Sequence, residues 1–212
     1  MKQLFQILAA VVVLSNTSRA GEPPAFKTDA EIDAWLRKNS AFYAVMAVDI
    51  DKRGGYSFRS WSEPLGVVVT EEGRRFIQLN PSLEGAERVS ILIFEVTNAY
   101  QEEHHQEIDT RARTGAIDNP IEFGLLHELV EFDGLRYHRK VLVDLDRVLK
   151  GIPRPMLTWI NPALTSLETY ELPLAFTFVE AQARSGHTDH YRKWFWIQRG
   201  WGSKDRCNAS DE

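Results

Sequence analysis

The chain has 212 residues, of which 43% are hydrophobic and 11% aromatic, a composition typical of a folded globular protein. Its formal charge is −5, from 30 acidic residues against 25 lysines and arginines, and this acidic balance disfavours a nucleic-acid partner. Cys207 is the only cysteine, which excludes an internal disulfide and a zinc cluster of thiolates.

The first twenty residues have the pattern of a secretory signal peptide. Lys2 gives a positive start, an apolar run follows over residues 4–14, and small residues lead to a cleavage site after Ala20. The apolar run is too short for a stable membrane span, so a membrane anchor is the weaker alternative. We expect an exported protein, periplasmic or extracellular, with one domain over residues 21–205, a flexible tail over 206–212 and no integral membrane segment after cleavage.

The first elements after the leader are predicted to be helical and then extended. Thr28 and Glu31 form a capping box, and apolar residues recur at helical spacing up to Lys52, with a break near Asn39. Aromatic and polar residues alternate over positions 56–61, which is typical of a half-buried strand.

A β-hairpin and a long helix form the centre of the predicted fold. Two strands are predicted at residues 66–70 and 75–79, around a turn at 71–73. An Asn-Pro pair ends the second strand. Apolar residues then recur at helical spacing, and the pattern predicts one helix from about residue 84 to residue 113.

The second half of the chain predicts another long helix and a shorter one. Asn119 and Pro120 open an apolar pattern that continues to about Lys150. A proline-bearing loop, a helix over about residues 173–184 and an aromatic segment over 191–197 follow. Together the elements predict a single α+β domain in which a small antiparallel sheet packs against long helices.

The middle of the first long helix lies where a zinc peptidase carries its HExxH motif. In that motif two histidines four residues apart chelate zinc, and the glutamate deprotonates the metal-bound water. Here Phe94 and Asn98 occupy the two histidine positions, and Glu95 occupies the position of the catalytic glutamate. Since phenylalanine cannot bind a metal, the sequence excludes a zinc hydrolase of the usual design at this position.

The order of elements resembles that of zincin-like metallopeptidases over about residues 42–149. A helix ending at a glycine-containing loop, a strand, a hairpin ending in Ile-Gln-Leu-Asn-Pro at residues 77–81, and the helix of Glu95 follow that order. The chain is similar to degenerate members in which a Phe-Glu-x-x-Asn-Ala segment precedes a Glu-x-x-Glu helix, here Glu128 to Glu131. The resemblance implies a zincin-like fold that has lost its zinc-binding histidines.

The second long helix supplies the other candidate site residues. Glu128 and Glu131 are three residues apart, and His127 and Glu131 four apart, so each pair shares a helix face. In a zincin, a glutamate from this helix would complete the metal shell, which makes Glu128 and Glu131 the candidate metal ligands. The candidate catalytic residue is Glu95, and the candidate cleft contains Phe94, Asn98, His127 and His138.

The sequence leaves three arrangements of these acids open. A divalent cation could bind the carboxylates together with Asn98 and water. Alternatively, one carboxyl group could take up a proton, because clustered anions do not all stay ionised. The third arrangement is a solvated or arginine-paired acidic face, with Arg136 and Arg139 nearby on the same helix. Because Glu95 lies in an apolar run, it is as compatible with a relic held by a hydrogen bond as with a working group.

The remaining histidines and aromatic residues carry weaker signals. His104 and His105 are adjacent on a helix and point about 100° apart, which favours the surface over a ligand pair. Residues 187–190 follow Gly186 and read as a polar loop. The aromatic run at 194–196 fits core and rim positions better than a carbohydrate platform.

These patterns predict an exported zincin-like domain without its zinc site, acting as a non-catalytic binding or regulatory module, a pseudo-peptidase. We expect no cofactor other than a divalent cation at the carboxylates, and a partner that is a protein or a small molecule. The alternative is a metal-dependent hydrolase with a rebuilt, carboxylate-rich site. A third hypothesis is a secreted structural protein in which these polar residues satisfy one another.

Overall fold

The chain folds into helices around one small sheet. A computed structural model describes residues 21–62, 65–158, 160, 166–167, 170, 172 and 174–200. The predicted signal peptide, the predicted tail and Cys207 lie outside these ranges. Within them there are eight helices and a three-stranded sheet, which confirms the predicted α+β class. None of the described helices combines the length and apolar character that crossing a membrane requires.

Two helices open the described chain, as predicted. Helix α1 is Asp29–Asn39 and helix α2 is Ala41–Lys52. The side chain of Thr28 caps α1 by accepting the backbone N–H of Glu31 at 3.2 Å. Ser40 separates the helices and caps α2 in the same way. The predicted break near residue 39 is therefore a cap between two helices.

Three short strands carry the chain from α2 to the first core helix. Strand β1 is Ser57–Ser60, β2 is Gly66–Glu71 and β3 is Arg74–Leu79. Strands β2 and β3 form the predicted antiparallel hairpin, and its turn residues Glu72 and Gly73 both have positive φ (51° and 76°).

The prediction of a purely antiparallel sheet is wrong for β1. The strand order is β1-β3-β2, and β1 runs parallel to β3 with Phe58 opposite Ile77. The chain reverses direction once between β1 and β2 and again between β2 and β3. Because β1 pairs with the free edge of β3 rather than with β2, those two reversals leave it parallel to its neighbour.

The helix predicted over residues 84–113 is two helices. Helix α3 is Gly85–Tyr100 and α4 is Glu102–Arg113, with Gln101 between them at φ −90° and ψ 3°. Gln101 is 2% exposed, and its side-chain nitrogen donates to the backbone carbonyl of Val130 at 2.9 Å. This tertiary contact fixes the position of the break. The spacing of apolar residues along the two helices does not reveal it.

The second long helix is confirmed as α5, Pro120–Leu149. The Asn119 side chain accepts the backbone N–H groups of Ile121 and Glu122 at 2.8 and 2.9 Å, which fixes the start of the helix. The helix ends at Lys150, which adopts the left-handed conformation at φ 58°.

Three further helices complete the described chain. They are the short α6, Pro155–Thr158, then α7, Ala175–Ser185, and α8, His187–Gln198. The predicted polar loop at residues 187–190 is wrong, because these residues form the first turn of α8. Gly186 has φ 83° and ends α7. The glycine therefore marks a sharp turn between two helices rather than a loop.

Two groups of buried apolar side chains form the interior. The larger group lies among α1, α2, α3, the sheet and the C-terminal half of α5. The smaller group joins α4, the N-terminal half of α5 and α8 through Ile108, Phe123 and Phe195. On α5 the buried residue of the smaller group is Phe123, and the first buried residue of the larger group is Val141. The candidate site residues of α5 lie between these two positions.

Candidate functional site

Glu95 lies inside the fold. It is 5% exposed and sits on α3 between apolar residues of the larger core group. A Cβ atom on Gly66 would lie 3.0 Å from the Cγ atom of Glu95. Because Gly66 at the start of β2 has no side chain, the strand leaves room for the side chain of Glu95.

The carboxyl group of Glu95 interacts with two polar neighbours, Glu131 and Asn98. Burial and the charge of Glu131 raise the pKa of Glu95 to about 8, while a hydrogen bond from Asn98 acts in the opposite direction. Glu95 therefore carries a proton at neutral pH. Of the three arrangements that the sequence leaves open, this geometry favours proton uptake by one member of a carboxyl pair.

Glu131 connects this pair to the C-terminal helix. The hydroxyl of Tyr191 on α8 donates to Oε1 of Glu131 at 2.7 Å. Burial of the carboxyl group raises the pKa of Glu131, and the bond from Tyr191 limits that rise. Glu95, Glu131 and Glu128 all act electrostatically on the phenol of Tyr191, so the three acids and this ring form one cluster.

Glu128 is completely buried and faces α8. Its Oε1 atom accepts a hydrogen bond from the hydroxyl of Thr188 at 2.9 Å and lies 2.9 Å from Nδ1 of His187. The hydrogen bond with Glu128 raises the pKa of His187. The second carboxylate oxygen, Oε2, has no hydrogen-bond partner in the described part of the protein.

The arginines near these acids bind elsewhere. Arg136 pairs with Asp133 at 3.0 Å, and Arg139 donates to the backbone carbonyl of Tyr170 at 2.8 Å. The interpretation of Glu128 and Glu131 as a solvated or arginine-paired face is therefore wrong, since Glu128 is also 0% exposed. Helix α8, rather than an arginine, supplies the hydrogen-bond donors to these two acids.

A stack of aromatic rings lies beside the acids. The rings of His127 and Tyr191 are 4.5 Å apart and 8° from parallel, and the rings of His105 and His127 are 5.0 Å apart. The Nδ1 atoms of the two histidines are 2.7 Å apart. Burial and the proximity of His127 lower the pKa of His105 to about 4. The predicted surface position is thus wrong for His105, whereas His104 is exposed.

Gly134 brings α5 close to α3 at the centre of the cluster. A Cβ atom on Gly134 would lie 3.2 Å from Oε1 of Gln101 and 3.3 Å from both Oδ1 of Asn98 and Oγ1 of Thr97. The amide oxygens of Asn98 and Gln101 are buried and have no hydrogen-bond partner among the described groups. Acceptor atoms therefore predominate in this contact between α3 and α5, which we call the seam.

The other two residues of the predicted cleft lie differently. Phe94 is partly exposed beside Glu95. His138 is completely buried two turns of α5 beyond Glu131, where its Nε2 lies 2.8 Å from Oγ of Ser90. Burial lowers the pKa of His138 to about 3. The structure thus brings His127 to the acids and places His138 against the first half of α3.

The donor set does not fit the zinc ion of a zincin. Among the residues that the structure describes, no three His, Cys, Asp or Glu side chains converge where one metal ion could sit. Glu131 is bound to Tyr191, and Glu128 faces His187 and Thr188. The carboxyl groups of α5 are thus engaged by α8 instead of forming a shell around a common point.

Sequence reasoning missed the contribution of α8. Tyr191 is four residues after His187 and three after Thr188, so it lies on the same side of the helix as each of them. That spacing would have indicated a polar face if residues 187–190 had been assigned to a helix. Comparison of the chain with family models, with curated proteins and with solved structures finds no match.

Proposed function

We propose that this protein is an exported, zincin-like domain that has lost its zinc-binding histidines and acts as a non-catalytic binding or regulatory module. The observation that carries the proposal is the set of residues around Glu95. This residue takes the position of the catalytic base, and it is 5% exposed with a pKa that burial raises to about 8. Phe94 and Asn98 replace the two histidines that would hold a zinc-bound water for Glu95 to deprotonate.

The order of elements supports the zincin-like part of the proposal. The hairpin of β2 and β3 leads into α3, and Glu95 on α3 faces the interior. Helix α5 then brings a second acid, Glu131, close enough to perturb the first. This is the order that the resemblance implies, with Phe94 and Asn98 at the two positions that histidines would occupy.

The partner that we propose is a protein or a small molecule that donates hydrogen bonds. The oxygens Asn98 Oδ1, Gln101 Oε1 and Glu128 Oε2 are buried acceptors without a donor among the described groups. Buried acceptors are costly when unpaired, so a ligand that supplies N–H or O–H groups gains most from this seam. The net charge of −5 disfavours nucleic acid as the partner.

Metal analysis and a cleavage assay test the proposal together. We expect the purified protein to contain no stoichiometric metal and to leave an unfolded protein substrate such as casein intact. Its melting temperature should not change with Zn²⁺, Mn²⁺, Ca²⁺ or a chelator, since only an ion that binds the native state raises it.

The opposite result would establish the metal-dependent hydrolase that the sequence leaves as an alternative. That result is one bound metal per chain, lost in Glu131→Gln but retained in Glu107→Gln, together with a cleavage activity that Glu95→Gln abolishes. Glu107 is a suitable control because it is an exposed acid on α4.

A further inference from the structure

Helix α8 covers the acidic face of α5 with three side chains from its N-terminal half. His187 and Thr188 contact Oε1 of Glu128, and Tyr191 donates to Glu131 at 2.7 Å. Tyr191 also stacks on His127, which is 2% exposed. The polar groups of the cluster that lie on α5 are thus closed off by one element.

The rest of the attachment of α8 is at its C-terminal half, where Phe195 and Trp196 pack in the smaller core group and Trp194 donates to Asp109 at 3.1 Å. Only Thr188 and Phe195 are buried among its twelve residues, and α7 before it has no buried residue. Phe195 contacts Phe123 with ring centroids 5.5 Å apart. Elements that bury few apolar side chains open locally at low free energy. Gly186, at φ 83°, forms the turn between α7 and α8.

The closed position of α8 requires a glycine beneath it. A Cβ atom on Gly124 would lie 2.9 Å from Cγ2 of Thr188. The hydroxyl of the same threonine donates to Glu128, so the close approach at Gly124 and the polar contact are made by one side chain. In this position Glu128 is 0% exposed, and its Oε2 atom has no donor among the described groups. An unpaired buried acceptor favours opening, because opening hydrates it.

We propose that α8 is a lid over Glu128 and Glu131, and that a ligand reaches the acid cluster only when this helix lifts from α5. The inference rests on the proposed function in one respect, because that function places the binding surface at these acids. The close packing at Gly124 and the three polar contacts hold the lid shut. Helix α7 and the first turn of α8 contain no fully buried apolar side chain, which allows this end of α8 to lift while Phe195 stays in the smaller core group.

Carboxyl labelling with a carbodiimide and glycine ethyl ester, read residue by residue by mass spectrometry, tests the lid. In the full-length protein, Glu128 should react far more slowly than the exposed Glu107. The double variant Thr188→Val with Tyr191→Phe removes two donors to α5. It should raise the labelling rate of Glu128 relative to Glu107 by about tenfold or more at a temperature below the melting transition of both proteins. Asp189→Asn, which breaks only a pair with Arg192 within α8, should not.

A covalent lock provides the second measurement. Gly124→Cys with Thr188→Cys, in a Cys207→Ser background, places two thiols at positions in direct contact. Their oxidation should suppress labelling of Glu128 below the wild-type rate, and reduction should restore it. The lid proposal is wrong if the locked protein labels at the wild-type rate, or if the double variant reacts no faster than Asp189→Asn. Neither result depends on metal binding or catalysis. The lid can therefore be refuted without refuting the proposed function, and the proposed function without refuting the lid.

Discussion

Glu95 illustrates how the residues packed around a carboxyl group set its protonation state. The resemblance assigns it to the position of a catalytic base, and the structure surrounds it with an apolar core, an amide and a second acid. Two of these features, burial in the apolar core and the nearby Glu131, make the charged form less favourable. The result is a neutral carboxyl group that contributes to the stability of the fold through its proton.

The first prediction concerns the pH dependence of Glu95. Its pKa is raised to about 8 from an ordinary value of 4.5, so the unfolded chain releases this proton at lower pH than the folded one. Wild-type stability should therefore fall between about pH 5 and pH 8, by up to about 1.4 kcal/mol per pH unit from this group. Glu95→Gln should lack that loss.

Urea unfolding of both proteins across this pH range measures the effect. The free energy of unfolding of Glu95→Gln should rise steadily relative to that of the wild type as the pH increases, and the difference should level off above about pH 8. A difference that is constant with pH would show that Glu95 is ionised in the folded protein.

The second prediction concerns His138, which titrates in the opposite sense. Burial lowers its pKa to about 3 from 6.5, so on acidification the unfolded chain takes up a proton before the folded one. Stability should fall between about pH 6.5 and pH 3, by up to about 1.4 kcal/mol per unit from this group. His138→Gln keeps a donor toward Ser90, and its deficit relative to wild type should shrink as the pH falls. A deficit independent of pH would contradict the prediction.

At the scale of elements, the seam between α3 and α5 determines the site. Gly134 allows the helices to approach, and Gln101 ends α3 by donating to the backbone of α5 at Val130. Both features set how close Glu131 on α5 comes to Glu95 on α3. Neither is visible as a pattern within one helix, because each depends on what the other helix presents.

The third prediction is that Gly134→Ala destabilises the protein. Alanine is the better helix former by about 1 kcal/mol, but its Cβ would lie 3.2–3.3 Å from three side-chain oxygens. Gln101 cannot move away without stretching its bond to Val130. We expect a net loss of about 1–2 kcal/mol in thermal or urea unfolding. A gain of stability would mean that the oxygens have room to shift.

At the scale of the whole molecule, a polar seam lies between two apolar groups of unequal size. Residues of α3 and α5 hold the carboxyl groups that prefer a proton, and buried histidines nearby prefer to be neutral. The two kinds of group oppose each other as the pH changes. The seam therefore couples the stability of the entire fold to pH.

The fourth prediction is a maximum of stability near pH 6.5. Below it, the protein loses stability as the pH falls because the pKa values of His105 and His138 are lowered to about 4 and about 3. Glu95 acts in the opposite direction from about pH 5 upward, but the two histidines outweigh this one group until about pH 6.5. Above it, Glu95 loses stability up to about pH 8, and His187 adds to that loss because its pKa is raised by Glu128. Urea midpoints at pH 4.5, 6.5 and 8.5 measure the curve. A midpoint that rises steadily to pH 8.5 would contradict it.

The sequence by itself determined most of the secondary structure of this protein. The cap at Thr28, the hairpin around Gly73 and the start of α5 at Asn119 depend on local contacts and on side-chain spacing, which are written directly in the order of residues. The presence of Glu95 in an apolar run likewise indicated a buried acid.

Only the tertiary structure decided which partners those residues have. The parallel pairing of β1, the break at Gln101 and the contacts of α8 with Glu128 and Glu131 join positions that are 19 to 60 residues apart. The pKa of Glu95 was equally out of reach, because it depends on burial and on the distance to a charge on another helix. Local patterns specify elements, whereas the ionisation and access of a site are set by what packs against it.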